Sequence, residues 1–103
     1  MSPILSADDL DLAGLRLFLT VVELGSVSKA ATRLGLAQPS ATAKLQKLER
    51  FLGAALLERA PTGSVPTATG QRLAPACADV LADGTALVDR AAEPRNDDRA
   101  QLT

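Results

Sequence analysis

Apolar residues return at three- and four-residue intervals through most of the chain, the spacing that gives a helix one oily side. Leu12, Leu15, Phe18, Leu19 and Val22 form the first such stripe, and Asp11 stands where an N-cap belongs. Gly25 ends this helix near Leu24, because glycine takes the left-handed conformation past a last turn. A short second helix is predicted over Lys29–Leu34, capped by Ser26 or Ser28 and stopped by Gly35. Its Ala30–Ala31 pair lets another helix come close. A third helix opens at Gln38–Pro39, where a proline lacks only an N–H that has no partner anyway. It runs to Leu52 with Ala41, Leu45, Leu48 and Leu52 stacked on one side, and Gly53 closes it. Pro39, Ala43, Gln46 and Arg50 then point roughly opposite that stripe.

The pattern changes after Gly53. Ala54–Arg59 and Ser64–Pro66 are short extended segments either side of Ala60-Pro61-Thr62-Gly63, a turn-rich tetrad, and together predict a small hairpin. From Thr67, an N-cap, a long helix reaches Ala92. Along it Leu73, Cys77, Val80, Gly84, Leu87 and Ala91 recur with alternating spacings of four and three, flanked by Leu81 and Val88. So narrow a seam on so long a helix asks for a partner, and a second copy of the chain is the natural one. The competing reading gives at least its first two turns to the chain's own core. Pro75 is expected to bend or loosen the start of the helix. The expected organisation is therefore a lead-in over 1–10, a mainly α winged helix-turn-helix domain of three helices and a two-stranded wing over 11–66, and a dimerisation helix over 67–92. Residues 93–103 read as a hinge or tail.

Composition narrows the function. The 103 residues contain no His, Trp or Tyr, two Phe and one Cys. An aliphatic core suits helices better than a sandwich or barrel. Without histidine the usual general base and the commonest metal ligand are both missing, and a single cysteine can build neither an intrachain disulfide nor a thiolate cluster. No basic leader and no membrane-length apolar run are present. These features predict a cytoplasmic domain that is not an enzyme, holds no metal or cofactor, and has no membrane partner. The overall charge of −1 conceals a division along the chain. Residues 26–59 carry a net +4, between flanks of −3 and −2. A basic middle is an electrostatic footprint for a polyanion, or else a solvated helical face.

Two short helices joined at Leu34-Gly35-Leu36, the second opening with exposed polar and basic residues, make a helix-turn-helix. The residues from Leu15 onward carry a resemblance: Phe18, Val22, Glu23, Gly25, Ser26, Ala30, Ala31, Leu34, Gln38, Pro39, Leu48 and Glu49 fall in the arrangement of the LysR-type transcriptional regulators. Leu52-Gly53, Leu57-Glu58-Arg59 and Thr67-Ala68-Thr69-Gly70 resemble that family's wing and its entry to a linker helix, so the likeness spans roughly residues 10–92. It implies two subunits paired through antiparallel linker helices, with their recognition helices, residues 38–52, in successive major grooves of a dyad-symmetric promoter site. It also implies a C-terminal effector-binding domain that takes a small molecule and builds tetramers. Arg99-Ala100-Gln101-Leu102-Thr103 resembles the first strand of such a domain, so a fragment of a longer protein is expected.

The resemblance assigns base contacts to Gln38, Pro39, Thr42 and Ala43, and phosphate contacts to Ser26, Ser28, Lys29, Lys44, Lys47 and Arg59. Gln can hold adenine N6 and N7, and proline offers an apolar surface to a thymine methyl. Thr42 keeps the hydroxyl of the family's usual Ser. Ala43 replaces a frequent Arg, with Lys44 next door as partial compensation. Ala37 replaces a frequent Ser cap, and the wing tip, Ala60–Ser64, carries no basic residue. The dimer interface falls to Leu73, Cys77, Val80, Leu81, Gly84, Leu87, Val88 and Ala91. A second reading keeps the fold and the dimer but gives the exposed face to a protein partner. Ala43 and the uncharged wing speak for it.

Overall fold

Four helices and one hairpin form in the computed structural model, which describes residues 9–93. Helix α1 is Leu12–Leu24, α2 Val27–Arg33, α3 Gln38–Leu52 and α4 Ala68–Ala92; strands β1 (Leu57–Ala60) and β2 (Gly63–Pro66) pair antiparallel between α3 and α4. Local chemistry accounts for the boundaries. The Asp11 carboxylate accepts the Ala13 N–H at 3.0 Å at the head of α1, and Gly25 closes that helix in the left-handed region. Ser26, rather than Ser28, caps α2, its hydroxyl accepting the Lys29 N–H at 3.0 Å. That choice starts α2 two residues earlier than the apolar pattern indicates. Ala37 stands at the N-cap of α3 with no side-chain hydrogen bond. The exposed Pro75 does not interrupt α4.

Helix α1 is the hub, touching α2, α3, α4 and β2. Surrounded in this way, it buries more than one stripe. Leu15 and Phe18 are buried as the periodicity requires, but Leu17 and Val21 are wholly buried too. Leu19 and Val22 are only partly covered, and Leu12, 41% exposed, lies at the edge beside α4. Thr20 is tolerated inside because its hydroxyl donates to the Arg16 carbonyl at 2.7 Å. Ala30 and Ala31 of α2 and Ala41, Leu45 and Leu48 of α3 close the core from below, and Leu56 fills it from the connection leading into the wing.

The hairpin is shorter than its sequence pattern. The expected first strand, Ala54–Arg59, begins only at Leu57 because its opening residues serve as an anchor. Glu49 on α3 accepts the N–H groups of Leu56 at 2.7 Å and Leu57 at 3.2 Å. Thr67 fastens the far end. Its hydroxyl caps α4 at Gly70 and donates to the Ala55 carbonyl, while its own N–H donates to the Leu56 carbonyl at 2.9 Å. A third tie joins the wing to the helix-turn-helix, the Ser64 N–H donating to the Gly25 carbonyl at 3.0 Å.

Helix α4 uses its first half for the core and leaves the second half exposed. Cys77 is buried in the chain's own core and Leu73 packs against that core. These two therefore face the chain's own core, as the competing reading of the first turns expects, where α4 packs on α1. Leu81 and Gly84 also lie on the α1 side, partly covered. Val80, Leu87, Val88 and Ala91 are exposed, Leu87 to 69% and Val88 to 65%. No helix among the described residues is long and apolar enough to cross a membrane. The Arg99–Thr103 segment expected to open a further domain lies outside the described residues.

Candidate nucleic-acid interface

The N-terminal half of α3, the start of α2 and the wing enclose one open groove. The tight turn after α2 sets it up. The Leu36 N–H reaches back to the Ala31 carbonyl at 2.8 Å, and the small Ala30 and Ala31 let α2 sit close under the crossing helix. Ala41, Leu45 and Leu48 hold the inner side of α3 in the core. Its outer side is therefore fixed in rotation, and Gln38, Thr42 and Gln46 line the groove one turn apart.

Among the residues expected at a nucleic acid, Ser26, Ser28, Gln38, Thr42 and Arg59 meet around this groove. Pro39 and Ala43 are exposed on the adjoining outer side of α3, and Lys29 is exposed on α2. Lys47 lies on the other shoulder of α3, with Arg50, Phe51, Asp9 and Leu10 around the same depression. Lys44 turns the other way. Its Nζ lies 3.6 Å from Asp11 Oδ2, and both side chains are about one-third exposed. A phosphate at Lys44 would share that ammonium with Asp11. Arg33 is drawn toward Glu23 at 3.9 Å, an exposed pair of little energetic worth.

Gln46, Val27 and Ser64 also line the groove without having been singled out as contacts, with Leu57, Glu58 and Gly63 of the wing beside them. Gln46 was within reach of sequence reasoning, since the helical wheel already put it on the outward side. Ser64 was not, because its placement depends on the long-range bond to Gly25. Glu49 also reaches this groove, yet its carboxylate is occupied by two backbone N–H groups. Cys77 takes no part. Burial pushes its thiol pKa up, which keeps it protonated and unreactive in neutral solution.

The profile described as "Bacterial regulatory helix-turn-helix protein, lysR family" matches residues 12–71, more than half of the chain. The chain belongs to the LysR family. Within that family it is 43% identical over 94 residues to the HTH-type transcriptional regulator AbaB of Streptomyces antibioticus, an alignment covering 91% of this chain and 30% of AbaB. Among solved structures it is similar to the CbnR DBD–DNA complex, with a TM-score of 0.73 and 32% identity over 91% of this chain and all of that one. Corynebacterium glutamicum OxyR in its oxidized form superposes with a TM-score of 0.75 and 34% identity, covering 81% of this chain and 27% of that protein. The LysR-family chain spans less than a third of the length of the curated relatives it matches. Their shared architecture is the winged helix-turn-helix described above, including the four helices and the two-stranded wing.

Proposed function

We propose that this chain is the DNA-reading and dimerising part of a cytoplasmic bacterial transcription regulator, and not an enzyme. The observation that carries the reading is the groove itself. An exposed recognition helix, 38–52, stands beside a wing in a fold that matches, over 91% of this chain, a chain solved on DNA. In this reading Gln38, Pro39, Thr42 and Ala43 approach base edges in the major groove. Ser26, Ser28, Lys29, Lys47 and Arg59 hold phosphates, which adds affinity without sequence information. Lys44, whose ammonium is shared with Asp11, joins them as a weaker contact.

Two such heads, joined through the exposed side of α4, would bind a dyad-symmetric site. A tetramer, and a small-molecule effector bound by a further domain, belong to the same proposal. A protein-binding role for the exposed face is less favoured, because the relatives are transcriptional regulators and similar folds are solved with DNA.

The test is fluorescence anisotropy of the 103-residue chain on the duplex upstream of its own gene and on a shuffled duplex, at two salt concentrations. Tighter binding to the native duplex is expected, with log affinity falling by about 0.9 per phosphate contact for each tenfold rise in salt. Equal affinity for both duplexes, insensitive to salt, would remove the proposal.

A further inference from the structure

Lys47 and Arg50 stand apart from the other charged side chains of α3. Lys44 shares its ammonium with Asp11, and the Glu49 carboxylate accepts the N–H groups of Leu56 and Leu57. Lys47 and Arg50 are exposed, and neither joins an ion pair among the described residues. At a separation of three residues on one helix, their like charges repel each other. Of the carboxylates around their depression, Asp11 is taken up by the Ala13 N–H and Lys44, which leaves Asp9 against two cations. The position of Arg50 on the helix is equally informative. At about 100° per residue, Pro39, Ala43 and Arg50 fall close to one outer line, opposite the buried Ala41, Leu45 and Leu48.

A helix lying in a major groove about 12 Å wide has a phosphate backbone on either side of it. On one flank of α3 the protein brings Ser26, Ser28 and Arg59, the last being the single cation lining that groove among the described residues. On the other flank it offers Lys47 and Arg50. Resting on the DNA-binding reading above, we infer that Arg50 is a DNA anchor. With Lys47 it grips the phosphate backbone on the flank of α3 opposite the wing, so the recognition helix is held from both walls. Pro39 and Ala43 bring no charge to the outer line, which gains its cation at Arg50, about 10 Å beyond Ala43. A guanidinium can donate to two phosphate oxygens at once, which fixes position along a backbone without naming a base. A cation in the last turn of a helix also suits the helix dipole, as Arg50 does in α3. That role concerns folding, and the salt dependence of binding tells the two apart.

The experiment is fluorescence anisotropy of the 103-residue chain on the native and shuffled duplexes across a series of salt concentrations. It compares the wild type with Lys47→Gln, Arg50→Gln, Arg50→Lys and, as a distant loss of the same charge, Arg16→Gln on α1 beside the distal half of α4. Lys47→Gln and Arg50→Gln are each expected to lower the slope of log affinity against log salt by about 0.9, with roughly five- to tenfold weaker binding at about 0.1 M salt. The preference for the native duplex is expected to hold in both. Arg50→Lys should keep the wild-type slope, and so should Arg16→Gln. A wild-type slope in Arg50→Gln would overturn the inference while DNA binding stood, and a lower melting temperature in that variant would then leave Arg50 a helix-dipole residue. An equal fall in Arg16→Gln would show an effect of net charge alone, and a lost duplex preference in Arg50→Gln would make Arg50 a base reader; either overturns the anchor. A wild-type chain without salt-dependent binding would remove the DNA-binding proposal and this inference with it.

Discussion

At residue 37 the chain gives up a common source of helix stability. An N-cap side chain normally accepts one of the free N–H groups of the first turn, and Ala37 has no atom with which to do so. Pro39 softens the loss by bringing one N–H fewer into that turn. The two other caps of the helix-turn-helix region, Asp11 and Ser26, both make the bond. Ala37→Ser is therefore expected to stabilise the fold by about 1 kcal/mol, raising the thermal midpoint by several degrees. A calorimetric scan that shows no rise would mean that the α3 N-terminus is already satisfied by water. The same position illustrates what sequence alone revealed. Ala37, Gln38 and Pro39 are legible one by one, because helix starts depend on neighbours in the chain. Lys44 is not, because its pairing with Asp11 joins residues 33 positions apart.

Among the elements, the wing is the most dependent on distant partners. Gly63 sits at φ 135°, and a Cβ there would lie 2.2 Å from the Gly25 carbonyl oxygen. That is the carbonyl which accepts the Ser64 N–H, so the side chain would push apart the groups that dock the wing. Gly63→Ala is expected to lose about 1–3 kcal/mol, from the unfavourable backbone region and the displaced bond together. Urea denaturation checks the amount, and a variant of wild-type stability would show that the wing docks through other contacts. Helix α3 was legible almost residue for residue, since its buried stripe Ala41, Leu45 and Leu48 obeys the ordinary period. Helix α1 was less so. Leu17 and Val21 are buried because partners approach from several sides, and periodicity describes a helix with one covered face. The late start of β1 was hidden for a similar reason: Leu56 belongs to the core and its amide to Glu49.

At the scale of the whole molecule the long axis is 57 Å, and α4 accounts for much of it. Its distal half carries Val80, Leu87 and Val88 in the open, more large apolar surface than any other element among the described residues exposes. Leu87→Asp would place a charge in the middle of that surface without touching the core. It is expected to convert the proposed dimer into monomers by light scattering while the helical circular dichroism of the head persists. A dimer of unchanged mass would move the interface elsewhere. Leu73 and Cys77, by contrast, belong to the head, and their periodic spacing with Val80 and Leu87 concealed the division. A heptad pattern records which residues avoid water and not which neighbour shelters them.

The three ties that fasten the wing, from Glu49, Thr67 and Gly25, have a thermodynamic corollary. A hairpin held at its entrance, at its exit and at one strand has already lost most of its conformational entropy before any ligand arrives. Little ordering then remains to oppose association, and the heat-capacity change on forming a complex should follow the apolar area buried at the contact surface, with no added contribution from folding. The head would engage as a preformed jaw, and adaptation would fall to the longer-range geometry between two such jaws.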